Sequence, residues 1–425
     1  MVELNKLGAK QVADLVASKK ASAEEVVTAC IARIEERESD VGVFQYFDGD
    51  YALNQARALD NGPAKGLLHG VPLGIKDIID TRDMPTGNGS RVYPDRQPIS
   101  DASCVALSRE AGAVILGKTV TTEFAYYFPG KTKNPNNLKH TTGGSSMGSA
   151  AGTADHMFPL GFGSQTAASV TRPAAYCGTI GYKATTGDFD LQGVCGLAAS
   201  YDTLGFLCRE LEDISLMRAA LIGDTPVVAR ADSASLRVGF VRTPLWDQAD
   251  DATRRALESA AEKLAGEGAE VTEPELPAEF DELADTHKLV MSFDAARARA
   301  YEYTCHPDKL SPQFTDLMEV GRAVSYEDYR AAQARSVACR HQIADLMAGF
   351  DILLAPSAPG EAPEGLSATG DPMFSRMWTL LYVPSVTLPV AKGDSGLPIG
   401  VQIIGKHHED GALISDAQWV YDRLK

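Results

Sequence analysis

Two hydrophobic rhythms run along this chain. The first is a short, mostly apolar run closed off by polar or turn residues, at 71–75, 113–116, 236–241, 269–272, 351–355, 385–390 and 401–404. Runs this short and rich in Val, Ile and Leu predict buried strands. The second is a three-to-four-residue apolar spacing over longer segments, at 22–36, 251–266, 280–303 and 326–347. That period predicts amphipathic helices. The first of them opens Ala21-Ser22-Ala23-Glu24-Glu25, a capping box with Ser22 as N-cap and Glu25 at the third helical position. Residues 149–154 lack period-two alternation and predict a helix of small residues. Strands that alternate with helices imply an α/β protein, with a largely parallel or mixed sheet covered by helices on both faces. No internal repeat stands out.

Both rhythms fail over residues 140–173, HTTGGSSMGSAAGTADHMFPLGFGSQTAASVTRP. This stretch is rich in Gly, Ser and Ala and almost free of charge. Gly-Ser runs are commonly linkers. Here the run contains an apolar segment at 157–162 and is followed by another at 174–180, so it reads as buried and ordered. It carries two serine turns, Gly143-Gly144-Ser145-Ser146 and Gln165-Thr166-Ala167-Ala168-Ser169, with Ser145 and Ser169 24 residues apart. Small residues let backbone N–H groups face a ligand. Hydroxyls among such groups suit acyl transfer.

GGSSMGSAAG and GSQTAASVTRPAAYCGTIGYKATTG resemble the signature of the amidase signature family. The resemblance extends to residues 7–36, to GLLHGVPLGIKDIID (66–80), to GKTVTTEFAYYFPGKTKNP (117–135) and to VPSVTLPV with GLPIGVQIIG (383–405). It implies a single large α/β domain over 1–425, with a central twisted mixed β-sheet covered by helices on both faces. Within it fall a signature core at about 66–210, a variable substrate-specificity segment at about 225–325 and C-terminal strands at 350–405. It also implies a Ser–cisSer–Lys triad. Lys76 matches the lysine, Ser145 the bridging serine after a cis bond from Gly144, and Ser169 the nucleophile. The oxyanion hole falls on the N–H groups of Thr166, Ala167, Ala168 and Ser169. No cofactor is implied, and the partners are a small-molecule substrate and a possible second copy in a homodimer.

The chemistry of these residue types agrees. A serine hydroxyl needs a base, and lysine is a base only when neutral. Its ordinary pKa is roughly 10.4, so base character near pH 7 requires surroundings that disfavour the ammonium by roughly 4 kcal/mol. Burial supplies that, and Lys76 follows the apolar run at 71–75. The simpler role for such a lysine is an ion pair at a strand end with Asp77 or Asp80. Ser145 can relay a proton because a hydroxyl both donates and accepts. The chain departs from the family pattern before the nucleophile. Gln165 replaces an acid, Ala167 and Ala168 replace two Gly, and Arg172 falls one place later. Alanine at these positions requires ordinary backbone angles.

Composition narrows the field further. The 425 residues are 44% hydrophobic and 23% charged, as in globular proteins, and can bury a sizeable core. A net charge of −17 argues against nucleic acid and anionic membranes, and so against the family's tRNA-dependent amidotransferase component. Seven dispersed cysteines fit a reducing cytosol, and the first residues lack the apolar run of a signal peptide, so a cytoplasmic location is expected. Eight histidines form no metal-binding pattern, and His140 reads as a packing residue. One motif points to another class: GAVILGKT, from Gly112 to Thr119, matches GxxxxGK[ST] of nucleotide-binding loops. Its four middle residues are apolar and predict a strand instead.

The expected reaction is therefore cleavage of a C–N bond in a small linear or aryl amide through an acyl-enzyme. Carbamate (urethane) or urea-type substrates, or esters, remain the alternative. By resemblance Tyr126, Tyr127 and Phe128 line the acyl pocket. Met147 is a further pocket residue, and the late aromatic Trp378, with Met377, Leu380 and Tyr382, could form another wall. Arg172 could hold an anionic substrate or serve the structure.

Overall fold

The computed structural model describes residues 3–231 and 235–425. Met1 and Val2 of the N-terminal reading, and residues 232–234 of the variable segment, lie outside the described residues. The described strands are β1 (Phe44–Phe47), β2 (Pro72–Lys76), β3 (Val114–Thr119), β4 (Lys133–Asn134), β5 (Asn137–Thr141), β6 (Leu160–Gln165), β7 (Ile180–Lys183), β8 (Thr203–Cys208), β9 (Arg237–Phe240), β10 (Glu270–Thr272), β11 (Ile352–Pro356), β12 (Ser385–Lys392) and β13 (Pro398–Ile404). Eleven of them form one mixed sheet in the order β1-β3-β2-β6-β8-β7-β12-β13-β11-β9-β10, while β4 and β5 pair separately. β2 runs parallel to β3 and β6 on either side, and β9 runs parallel to β10 and β11.

Helices cover both faces, and neighbouring residues of single strands show it. Ile352, Leu354 and Ile403 join an apolar cluster with Leu257 and Leu264 of the helix Asp251–Gly266 and with Val420 of the C-terminal helix Asp410–Leu424. Leu353, Ala355 and Ile404 join a second cluster with Val290, Phe314, Ile343 and Trp378. Successive strand residues point to opposite faces, so the two clusters lie on opposite sides of the sheet.

The capping box forms as the sequence implies. Ser22 Oγ accepts from Glu25 N–H, and Ser22 N–H donates to the Glu25 carboxylate. That helix runs Ala23–Val41 and ends where Gly42 takes φ 69°. The helices Asp251–Gly266 and Tyr326–Met347 match their expected spans. The helix expected over 280–303 is instead a short 3-10 turn, Ala278–Glu282, then Leu283–Ala298 and Ala300–Cys305. The break is at Arg299, which leaves helical geometry (φ −111°, ψ 24°) while its guanidinium reaches Glu302 and the Cys195 sulfur. No Gly or Pro marks that position. The nucleotide-loop reading of 112–119 is corrected by β3, a fully buried strand. Lys118 Nζ is used internally, donating to Ile79 O at 2.7 Å and to Thr86 Oγ1. No described helix is long and apolar enough to cross a membrane.

The parallel strands β2 and β6 end at Lys76 and Gln165, so both residues reach the same edge of the sheet. The two serine turns lead into the helices Met147–Ala154 and Thr171–Cys177. The first helix is made of small residues because it lies hard against its neighbours. A Cβ on Gly148 would come within 2.3 Å of Val43 O, and one on Gly152 within 2.4 Å of the Phe158 ring.

Candidate active site

Lys76 is fully buried, and its Nζ lies 2.7 Å from Ser145 Oγ, 2.9 Å from Ser164 Oγ and 3.3 Å from Ser164 O. Neither nearby acid takes it as a partner. Asp77 lies against Lys118, and Asp80 forms a two-pronged pair with Arg96. Burial pushes the Lys76 amine down to about 7, opposed only by the charge of Asp202. A neutral amine has two N–H bonds and a lone pair. Ser164 Oγ and O can take the two N–H bonds, which leaves the lone pair facing the Ser145 hydroxyl.

Holding a lysine here costs stability. The native amine titrates at about 7, far below its ordinary value of 10.5. The unfolded chain therefore binds more protons between those values, and stability rises with pH across that window. Below about pH 7 the penalty is fully present, on the order of 5 kcal/mol at most. Lys76→Met should therefore raise stability at pH 6 by about 1–3 kcal/mol, the lost hydrogen bonds offsetting the rest. Urea unfolding at pH 6 checks this, and a destabilised variant would contradict it.

Ser145 and Ser169 line one cavity, together with Thr166, Ala167, Ala168 and Tyr126. The Gly144–Ser145 peptide bond is cis. The loop before Ser169 is tied down through its carbonyls. Thr166 O accepts from His287 Nε2, Ala167 O from Thr379 Oγ1, Ala168 O from Arg172 N–H and Ser169 O from Ser146 N–H. Among the described residues no protein acceptor meets the N–H groups of Ala167, Ala168 or Ser169. Such a loop presents donors to a developing oxyanion. Ala167 and Ala168 are absent from the residues with positive φ, so both keep ordinary backbone angles.

Gln165 braces the turn that carries Ser169. Its Oε1 accepts from Val170 N–H (3.0 Å), Thr171 N–H (3.1 Å) and Thr171 Oγ1 (3.1 Å). Its Nε2 donates to Thr379 Oγ1, which in turn holds Ala167 O. Gln165→Leu leaves two buried N–H groups unpaired and should cost about 2–4 kcal/mol in denaturant unfolding. A change within about 0.5 kcal/mol of the parent would show the network to be dispensable.

Three supporting residues escape sequence reasoning. Ser164, on β6, is one of the partners of the Lys76 amine. Asp202 is buried and pushed up to about 6 by that burial. It accepts from the Thr166 hydroxyl and from the N–H groups of Leu197 and Ala198. Removing its charge in Asp202→Asn would lower the Lys76 value further. His287 lies within the 225–325 segment, stacked on Tyr201 at 4.4 Å. Burial and the adjacent Arg376 hold its imidazole well below its usual range. Arg376 Nη1 sits 3.1 Å from His287 Nδ1, and a guanidinium can only donate. Nδ1 therefore accepts, and Nε2 carries the proton that binds Thr166 O. A lone histidine in a helical segment carries no signal of this.

The expected pocket residues divide. Tyr126, Tyr127 and Arg172 line the cavity. Arg172 is nevertheless engaged with carbonyls, donating to Gly370 O at 2.8 Å and Gly144 O at 2.7 Å. Two expectations are corrected. Trp378 is fully buried in the apolar cluster on one face of the sheet, where its helix Met373–Leu380 turns Arg376 to the cavity instead. Met147 is buried away from the cavity lining, its sulfur accepting from Gly130 N–H at 3.3 Å. Phe128 is half exposed.

The family model for Amidase matches residues 25–414. The chain belongs to the amidase signature family. Its fold and family are those of an amide-hydrolysing enzyme. A glutamyl-tRNA(Gln) amidotransferase subunit from Halalkalibacterium halodurans is 30% identical, covering 93% of this chain and 92% of that protein. Its counterpart of the same name from Acidothermus cellulolyticus is 32% identical, covering 97% and 93%. Among solved structures, an amidase superposes with a TM-score of 0.91 at 28% identity, covering 99% of this chain and all of that one.

Proposed function

We propose that this enzyme is a serine hydrolase that cleaves the C–N bond of a small linear or aryl amide, with Ser169 as nucleophile, Ser145 as proton relay and Lys76 as base. Neutral Lys76 takes the Ser145 proton as Ser145 takes that of Ser169. Ser169 Oγ then forms a bond to the carbonyl carbon. The resulting oxyanion is held by the N–H groups of the 166–169 loop. As the C–N bond breaks, the amine receives a proton from Lys76 through Ser145. Water cleaves the acyl-enzyme through the same relay, releasing the acid. The observation that carries this reading is the buried Lys76 amine, pushed down to about 7 and 2.7 Å from Ser145, which lines the same cavity as Ser169.

A second reading is favoured by the relatives named above: a subunit of a glutamyl-tRNA(Gln) amidotransferase, for which a free amide such as glutamine would be the nitrogen donor. The net charge of −17 weighs against a tRNA-bound assembly. Ammonia release from simple aliphatic and aryl amides, from the matching carbamates and from glutamine separates these readings. Saturable turnover of the simple amides by the isolated chain supports the first. Turnover of glutamine alone would replace it with the second, and turnover of carbamates alone would retain the triad and change the substrate.

A further inference from the structure

Arg376 lines the catalytic cavity and is only 4% exposed. Its Nη1 meets the neutral His287 and its Nη2 donates to the Tyr127 hydroxyl at 2.8 Å, while its Nε is buried without a partner. Among the described residues no carboxylate lies within ion-pair distance of it. Arg172, on the same cavity, also rests on neutral oxygens only. Burial lowers the Arg172 value; the charge of Asp371 works against this, and that of Arg376 adds to it. A buried guanidinium without a counter-ion is costly. Its fork of donors matches a carboxylate. Apolar wall residues, Met291, Leu197 and Pro372, lie on the same cavity and would face the chain between the amide and that carboxylate. An adjoining outer hollow carries Asp316 and Asp371, so a second anionic group is disfavoured there.

We propose that Arg376 receives a carboxylate of the substrate, so that the amide this enzyme cleaves is a small monoanionic one with its acid group at the far end of the acyl chain. Binding there would also bear on the oxyanion loop, because Arg376 holds the imidazole that holds Thr166 O. The proposal rests on the cavity being the amide site. Its test needs no turnover and so can fail separately from the hydrolase reading.

Ser169→Ala enzyme is titrated by calorimetry with succinamate and glutaramate, and with their uncharged counterparts butyramide and valeramide. The carboxylated amides should bind roughly ten- to a hundredfold more tightly. In Ser169→Ala/Arg376→Met that ratio should fall to within about threefold, and Ser169→Ala/Arg376→Lys should lie between. Equal affinities in Ser169→Ala would overturn the proposal. So would a preference that survives Arg376→Met. The Ser169→Ala comparison stands by itself if the methionine variant does not fold.

Discussion

Ser169→Ala should lose amide hydrolysis by at least about 10⁴-fold while keeping its fold. The argument is one of position. Ser169 stands on the cavity wall, its carbonyl held by Ser146 N–H and its turn braced by Gln165. Removing one oxygen leaves all of those contacts in place, because none of them uses the side chain of Ser169. The donors of the 166–169 loop persist too, so a residual rate above that of water is expected from polarisation of the carbonyl alone. Turnover of the best amide and a thermal melt measure the two halves of this expectation. Retained activity within tenfold of the parent would remove Ser169 from the mechanism.

Lys76→Ala should cost about 10³–10⁵-fold in kcat/KM and should also erase a pH dependence. The sign follows from burial. The amine is protonated below about 7 and then cannot accept the Ser145 proton. Parent kcat/KM should thus rise tenfold per pH unit up to about pH 7 and level off above it. Asp202, titrating at about 6, contributes a second ionisation inside the acid limb. In Lys76→Ala the slope near pH 7 should disappear along with the rate. A parent profile that is flat from about pH 5 to pH 8 would mean that Lys76 is not the base.

How much of this could be read from the chain depends on how local each feature is. The capping box at Ser22 and Glu25 is a contact over three residues, and it forms as the spacing implies. The buried runs that became β2, β3 and β11 needed only their own apolar residues. β6, LGFGSQ, was not legible. Its glycines weaken the strand pattern and exist for close approach, as at Gly163, where a Cβ would meet Ser146 Oγ at 2.8 Å. The serine turns stood out because their small uncharged residues break both hydrophobic rhythms. Their supports did not stand out. Ser164 lies 88 residues from Lys76, and His287 lies 121 from Thr166, so only the fold brings these pairs together. Trp378 shows the converse error. Its aromatic bulk suggested a pocket wall, but a helix has several faces, and the cavity side of this one belongs to Arg376.

The central claim is that Lys76, acting through Ser145, makes Ser169 a nucleophile. A fluorophosphonate probe reads this directly, followed by intact mass and peptide mapping on the parent and on Lys76→Ala at pH 8. One probe per chain on Ser169 in the parent, with labelling slowed at least a hundredfold in Lys76→Ala, is the predicted result. Labelling of Ser169 at equal rates in both proteins, or no labelling of a folded parent, would contradict it.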